Sequence, residues 1–130
     1  MSADQKRRQT ILVIDDEHLV LDVISNILTE EGFEVLKAAT SEEALQKAAP
    51  GEHKIDLVLA DIVMPGMSGG ELVKMIQSLQ PEIRVLYMSG FTKYTILDHG
   101  NLESVGSFIW KPFAPADLLA KIRELLEVPS

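Results

Sequence analysis

A chain of 130 residues that is 46% hydrophobic and 25% charged has the length of one domain and enough apolar side chains for a real core, which excludes a wholly disordered protein. Its 12 basic residues against 20 acidic ones leave a formal charge of -8, a balance that speaks against nucleic acid as a direct partner. The lack of cysteine removes disulfide frameworks and thiolate metal sites, and no apolar run reaches the length of a membrane span, so a soluble protein of a reducing cytoplasm is expected, without membrane insertion.

The opening residues 2–10 have no apolar signal-peptide core, and 5–9 are wholly polar. Residues 1–9 therefore read as a flexible leader or linker, 10–128 as the folded domain and 129–130 as a tail. Residues 11–14 are a branched apolar run followed by Asp15 and Asp16, the pattern of a strand covered on both faces. Val20, Val23, Ile24, Ile27 and Leu28 recur at helical spacing, Gly32 supplies a stop, and 33–36 form a second, more modest strand. Thr40 with Glu43 is a capping box for a helix through Leu45 and Ala48, which Pro50 and Gly51 close. Residues 55–60 are a third strand, too short for a helix, that ends abruptly at Asp61 with Pro65, Gly66 and Gly69 behind it as breakers. Ser68 with Glu71 is a second capping box, which would anchor the loop behind Asp61, and Leu72, Met75, Ile76 and Leu79 give the next helix its apolar stripe. Residues 83–88 form a fourth strand ending at Ser89 and Gly90. In 92–106 the apolar residues are diluted by threonine and interrupted by Gly100, so a short, poorly anchored helix is expected. Residues 108–110 form a fifth strand ending at Lys111 and Pro112, and Pro115 opens a last helix carrying Leu118, Leu119, Ile122, Leu125 and Leu126.

Strict alternation of strand and helix implies an α/β fold, a doubly wound five-stranded parallel sheet with right-handed crossovers and helices on both faces, in three layers. In such sheets function collects beyond the carboxyl ends of the strands. Those ends carry Asp15 and Asp16, Asp61, Ser89 and Lys111. Singly, each has an ordinary explanation. An acid before a helix caps it, Asp61 could shape an Asx-turn, serine before glycine is turn chemistry, and lysine before proline is a surface residue. Independent turn residues, however, have no reason to place three carboxylates, a hydroxyl and an ammonium along one sheet edge.

Three crowded carboxylates repel unless a cation neutralises them. An all-oxygen set without histidine or cysteine favours a hard divalent ion, Mg2+ with Mn2+ as the alternative. His18, His53 and His99 are scattered and read as surface residues. A phosphoryl group arriving at such a site meets an anionic nucleophile, a hydroxyl for its oxygen and an ammonium for its charge. Asp61, on the middle strand of the cluster, is best placed as that nucleophile, which would yield an acyl phosphate.

The motifs Ile-Leu-Val-Ile-Asp-Asp-Glu, Asp-Leu-Val-Leu-Ala-Asp-Ile-Val-Met-Pro-Gly-Met-Ser-Gly, Tyr-Met-Ser-Gly-Phe and Phe-Ile-Trp-Lys-Pro-Phe together resemble the receiver domain of two-component response regulators, over residues 11–128. The resemblance implies a flavodoxin-like (βα)5 fold and a phosphoacceptor signalling domain rather than an enzyme. It implies that Asp61 takes its phosphoryl group from a phosphohistidine of a histidine kinase or phosphotransfer protein. Asp15, Asp16, Asp61 and the backbone carbonyl of Val63 would hold the metal. Ser89 and Lys111 would be the hydroxyl and the lysine, the latter before a cis proline at Pro112, and Phe108 the switch aromatic. Phosphorylation adds charge and acceptor oxygens that would draw Ser89 in and let Phe108 turn inward, shifting the surface made by the helix expected in 92–106, the fifth strand and the last helix. The alternative for Phe108 is plain packing. Val63 and Phe91 stand where relatives often carry polar side chains that orient a hydrolytic water, so both are expected to prolong the phosphoryl lifetime.

Two rival readings come from other classes. A phosphatase or phosphotransferase of haloacid dehalogenase type would use Asp15 as nucleophile, but Glu17 stands where that motif needs a second aspartate, and no cap domain fits this length. A pure protein-binding module with a vestigial pocket is opposed by the full acid set and Lys111. The reading expects no output domain, hence a stand-alone receiver or one belonging to a larger protein. Its wording around Ser89 and Lys111 is similar to receivers of hybrid sensor histidine kinases, whose downstream target would be another protein or their own kinase core.

Overall fold

The computed structural model describes residues 8–62, 69–90 and 107–127. Its elements are β1 (Thr10–Ile14), α1 (His18–Glu30), β2 (Glu34–Ala38), α2 (Ser41–Ala48), β3 (Leu57–Asp61), α3 (Gly69–Leu79), β4 (Arg84–Gly90), β5 (Ser107–Lys111) and α4 (Pro115–Glu127). The helix expected in 92–106, the Ser68 half of the second capping box, Val63 and Phe91 lie outside the described residues.

All strand pairs are parallel and the order is β2-β1-β3-β4-β5. The chain steps from β1 outward to β2, then crosses back to lay β3 on the other flank of β1. The order thus reverses between β1 and β3, and that crevice is where a doubly wound sheet binds its ligands. The fold is the flavodoxin-like one that the alternation and the resemblance imply.

Side chains alternate along the strands and feed two cores. Leu12, Ile14, Val58 and Ala60 pack with Leu72, Val73 and Ile76 of α3 and with Ala44 and Ala48 of α2. Ile11, Val13, Leu57 and Leu59 pack with Leu21, Ile24 and Leu28 of α1 and with Leu118 and Ile122 of α4. The central strands β1 and β3 are buried throughout, which explains their unbroken apolar runs.

Several element bounds move from the expected ones. β2 begins one residue later and runs to Ala38, although Phe33 is still buried. Asp61 is the last residue of β3 rather than the first of a loop, because it stays in register with Met88 of β4 and the next N–H, of Ile62, donates to the Met88 carbonyl at 2.9 Å. The apolar stripe of α1 is also reassigned. Leu21, Ile24, Ser25 and Leu28 face the core, whereas Val23 is 57% exposed and Leu19 81% exposed. α1 is apolar on more than its core face. In α3 Met75 is likewise exposed, and Val73 takes a core place beside Leu72 and Ile76.

The ends of α1 and α2 follow the local sequence. Beyond α1 the Phe33 N–H donates to the Leu28 carbonyl and the Gly32 N–H to that of Thr29, with Gly32 at φ 96°. This is a glycine stop in which the positive φ suits a residue without Cβ. At α2 the Thr40 hydroxyl accepts from the Glu43 N–H at 3.1 Å. The return arm of the box reaches one residue further than expected, since Glu43 Oε1 accepts from the Ala39 N–H at 2.7 Å. Nearby, Lys47 Nζ donates to the Lys37 carbonyl at 2.6 Å, on the outer side of β2.

At the opposite end of the sheet, Gln80 closes the loop between α2 and β3. Its Nε2 donates to the carbonyls of Ala48 (3.1 Å) and His53 (2.8 Å), and its Oε1 accepts from the Ile55 N–H (2.9 Å). Gln80→Ala is expected to cost about 2–3 kcal/mol in urea denaturation, because it strands the N–H of the buried Ile55. The Ser25 hydroxyl, by contrast, is buried without a hydrogen-bond partner among the described residues. Ser25→Ala is accordingly expected to leave stability unchanged or raise it by up to about 1 kcal/mol in the same assay.

Candidate phosphoacceptor and metal site

The carboxyl ends of β1, β3 and β5 converge on one acidic cluster. Asp15 follows β1 and is fully buried, Asp61 ends β3 at 6% exposure, and Asp16 lies nearer the surface. One carboxylate oxygen from each lies within 4.8 Å of the others. Lys111, the last residue of β5, donates from Nζ to Asp15 Oδ2 at 2.6 Å and to Asp61 Oδ2 at 3.0 Å. The Lys111–Pro112 peptide bond is cis.

Asp15 also has a local task. Its Oδ1 accepts from the Glu17 N–H at 2.9 Å, and Glu17, whose own side chain makes no cap, is the N-cap of α1. The ordinary reading of Asp15 as the cap of α1 is thus corrected: Glu17 takes the cap position and Asp15 makes an Asx-turn just before it. The turn fixes the carboxylate so that its other oxygen faces Lys111.

Burial is the largest single influence on the Lys111 ammonium and opposes its charge. The hydrogen bond to Asp15, the attraction of Asp61 and the remaining contacts with the two acids together outweigh burial, so its pKa is raised above the ordinary 10.5. Lys111 is thus charged throughout the physiological range. Three carboxylates against one ammonium leave an excess of two negative charges in a largely buried space. Such a set of oxygen donors can hold a hard divalent cation, and an isolated ammonium does not replace one.

Of the residues singled out in the sequence, the structure brings together Asp15, Asp16, Asp61 and Lys111. Ser89 lies near the end of β4 with its backbone opposite Trp110 in the ladder. Phe108 is opposite Tyr87, half-buried, with its ring 4.5 Å from that of Trp110 and nearly perpendicular to it. His18 and His53 are exposed and stand apart from the cluster, as read; His99 is outside the described residues. Among the described residues no helix is long and apolar enough to cross a membrane.

An apolar groove of about 670 Å³ was not foreseen. It is lined by the exposed Leu19 and Val23 of α1, by Val20, Ile24 and Ile27, and by Lys111, Pro112, Phe113 and Pro115. The signal was present in the crowding of apolar residues over 19–28, which exceeds what one core-facing stripe can use.

The family model described as the response regulator receiver domain matches residues 11–123. The transcriptional regulatory protein YvrH of Bacillus subtilis is 32% identical over 119 residues, which are 91% of this chain and 49% of that protein. The sensor kinase CckA of Brucella abortus is 28% identical over 126 residues, 97% of this chain and 13% of the kinase. The chain therefore spans half or less of the length of these curated relatives. Among solved structures, a CheY-like response regulator receiver domain protein from Methanospirillum hungatei superposes with a TM-score of 0.79 at 35% identity, covering 93% of this chain and 95% of its own. The family model covers most of the chain and the sheet order is that of the superposed receiver, so the chain belongs to the family of response regulator receiver domains.

Proposed function

We propose that Asp61 is the phosphoacceptor and that Asp15, Asp16 and Asp61, with the Val63 backbone carbonyl, hold Mg2+. The observation that carries the proposal is the two-pronged grip of Lys111 on Asp15 and Asp61 beside a third carboxylate. When bound, the cation supplies charge neutralisation and orients phosphoryl oxygens. The chain's own groups do the rest. A carboxylate oxygen of Asp61 attacks the phosphorus of a phosphoimidazole donor; a P–O bond forms, the P–N bond breaks, and the departing imidazole keeps the electron pair. Lys111 offsets the charge on the transferring group, and the Ser89 hydroxyl bonds an oxygen of the product. The result is one acyl phosphate per site, a regulatory mark rather than turnover of a substrate.

The donor is a histidine kinase or a histidine phosphotransfer protein in the cytoplasm. The apolar groove of α1 opens beside Lys111 and fits the docking face of such a donor, since it would bring an apolar helical surface and its phosphohistidine to the same edge. Phe108 carries the change to a protein-interaction surface along β5 and α4, for a downstream protein or a kinase core on the same chain. Beryllofluoride titration in Mg2+, followed by the fluorescence of the single tryptophan, tests the assignment. Saturable binding that disappears in Asp61→Asn is expected, and binding that survives the substitution overturns it.

Val63 and Phe91 set the lifetime of the mark by keeping water from the acyl phosphate. Val63→Asn with Phe91→Glu is expected to hasten the decay of radiolabelled phosphoprotein severalfold. An unchanged decay rate removes both residues from this role.

A further inference from the structure

We propose that Trp110 is a positioning residue that holds Phe108 in its resting place, so that the two rings answer phosphorylation as one unit. The inference rests on the reading of Asp61 as phosphoacceptor. Phe108 and Trp110 are two residues apart on β5 and so lie on the same face of the sheet. Their ring centroids are 4.5 Å apart with an interplanar angle of 82°, an edge-to-face pair.

The register gives the pair its position in the switch. Trp110 lies opposite Ser89 and directly precedes Lys111, whereas Phe108 lies one layer deeper, opposite Tyr87. Trp110 is thus the ring next to the hydroxyl-bearing residue of β4 and next in the chain to the cation of the site. Both rings pack against the core that contains Tyr87, and both border a cleft of about 350 Å³ between β5 and the Asp117, Lys121 and Glu124 positions of α4. Among the described residues, Phe108 has core on one side and this cleft on the other. It cannot leave its place without giving up the edge contact with Trp110, so that contact weights the equilibrium toward the arrangement seen here.

A ligand that favours the other arrangement gains affinity when the resting one is weakened. An edge-to-face pair is worth a factor of roughly 2 to 10 in such an equilibrium. Calorimetric titration with beryllofluoride in Mg2+ on the wild type, Trp110→Leu, Phe108→Leu and the double variant tests this. Trp110→Leu is expected to bind roughly 2- to 10-fold more tightly, Trp110→Phe to stay near wild type, and Trp110→Leu to add nothing in the Phe108→Leu background. An unaltered affinity in Trp110→Leu, or the same gain with and without Phe108, overturns the proposal while leaving Asp61 as the acceptor. Absence of Asp61-dependent binding in the wild type overturns both. If Trp110→Leu does not fold, the indole N–H resonance decides. Its shift on adding beryllofluoride is expected to shrink at least twofold in Phe108→Leu, and an undiminished shift overturns the proposal.

Discussion

Lys111→Met is expected to slow the labelling of Asp61 by acetyl phosphate by about a hundredfold or more, while the sheet remains folded. Methionine keeps most of the apolar stem of lysine but removes the ammonium that lies 2.6 Å from Asp15 and 3.0 Å from Asp61. A preorganised donor aimed at a developing oxyanion contributes about 2.7–4 kcal/mol when its loss is measured in enzymes. The same change exposes the acids to one another. Without metal, the variant is expected to lose about 3 kcal/mol of stability, because a buried ion pair broken from one side leaves its partner uncompensated. The pH dependence follows in sign. The folded state raises the Lys111 pKa, so its contribution is fully present below the ordinary 10.5 and is lost as pH climbs through the higher folded value. Wild type should therefore lose stability relative to Lys111→Met only above about pH 10.5, and the two should differ by a constant amount between pH 7 and 10. Labelling at the wild-type rate in Lys111→Met would exclude the electrostatic role.

Asp16→Asn is expected to abolish about half or more of the stabilisation that magnesium confers while leaving the metal-free protein as stable as wild type or more so. Asp16 belongs to the carboxylate cluster and is the member nearest the surface. Lys111 bonds the other two acids. Removing the Asp16 charge takes away repulsion toward Asp15 and Asp61 while both keep their bonds to Lys111, a gain of at least about 1 kcal/mol, the value for two unit charges about 4 Å apart in water. The wild type should gain about 2.7 kcal/mol when magnesium is supplied at a hundred times its dissociation constant. At that same concentration the variant, binding tenfold or more weakly, should gain no more than about 1.4 kcal/mol. Urea denaturation with magnesium and with chelator separates the two effects. A metal-free variant less stable than wild type would show that Asp16 holds the loop rather than the ion.

The sheet and the cluster were legible because burial on both faces writes short unbroken apolar runs, and each run stops at a polar residue that must serve some purpose at the strand end. Asp15, Asp61 and Lys111 stood out for that reason. What failed to show was assignment within a face. In α1 the residues read at helical spacing include Leu28, which reaches the core, and Val23, which does not, and they omit Leu21, which does, because a helix carrying both a core face and an apolar groove has no polar boundary to mark where one ends. The place of Asp61 inside the ladder was hidden for a different reason: pairing with Met88 is a property of two strands, not of either alone. Gln80 was unreadable too, since nothing in its neighbours announces that one amide will serve three backbone groups of a loop 25 to 32 residues away.

The Lys37 carbonyl on the outer side of β2 is already taken by Lys47, and the Ala39 N–H just beyond the strand by Glu43. Since the Ala38 carbonyl points inward to Asp15, the Lys37 carbonyl belongs to the free rim where a sixth strand would dock. An incoming chain would have to evict an ammonium and a carboxylate before it could lengthen the ladder beyond Lys37. That end of the β2 rim is thus guarded against backbone pairing with other chains, which points recruitment elsewhere on the domain, to β5 and the helical faces.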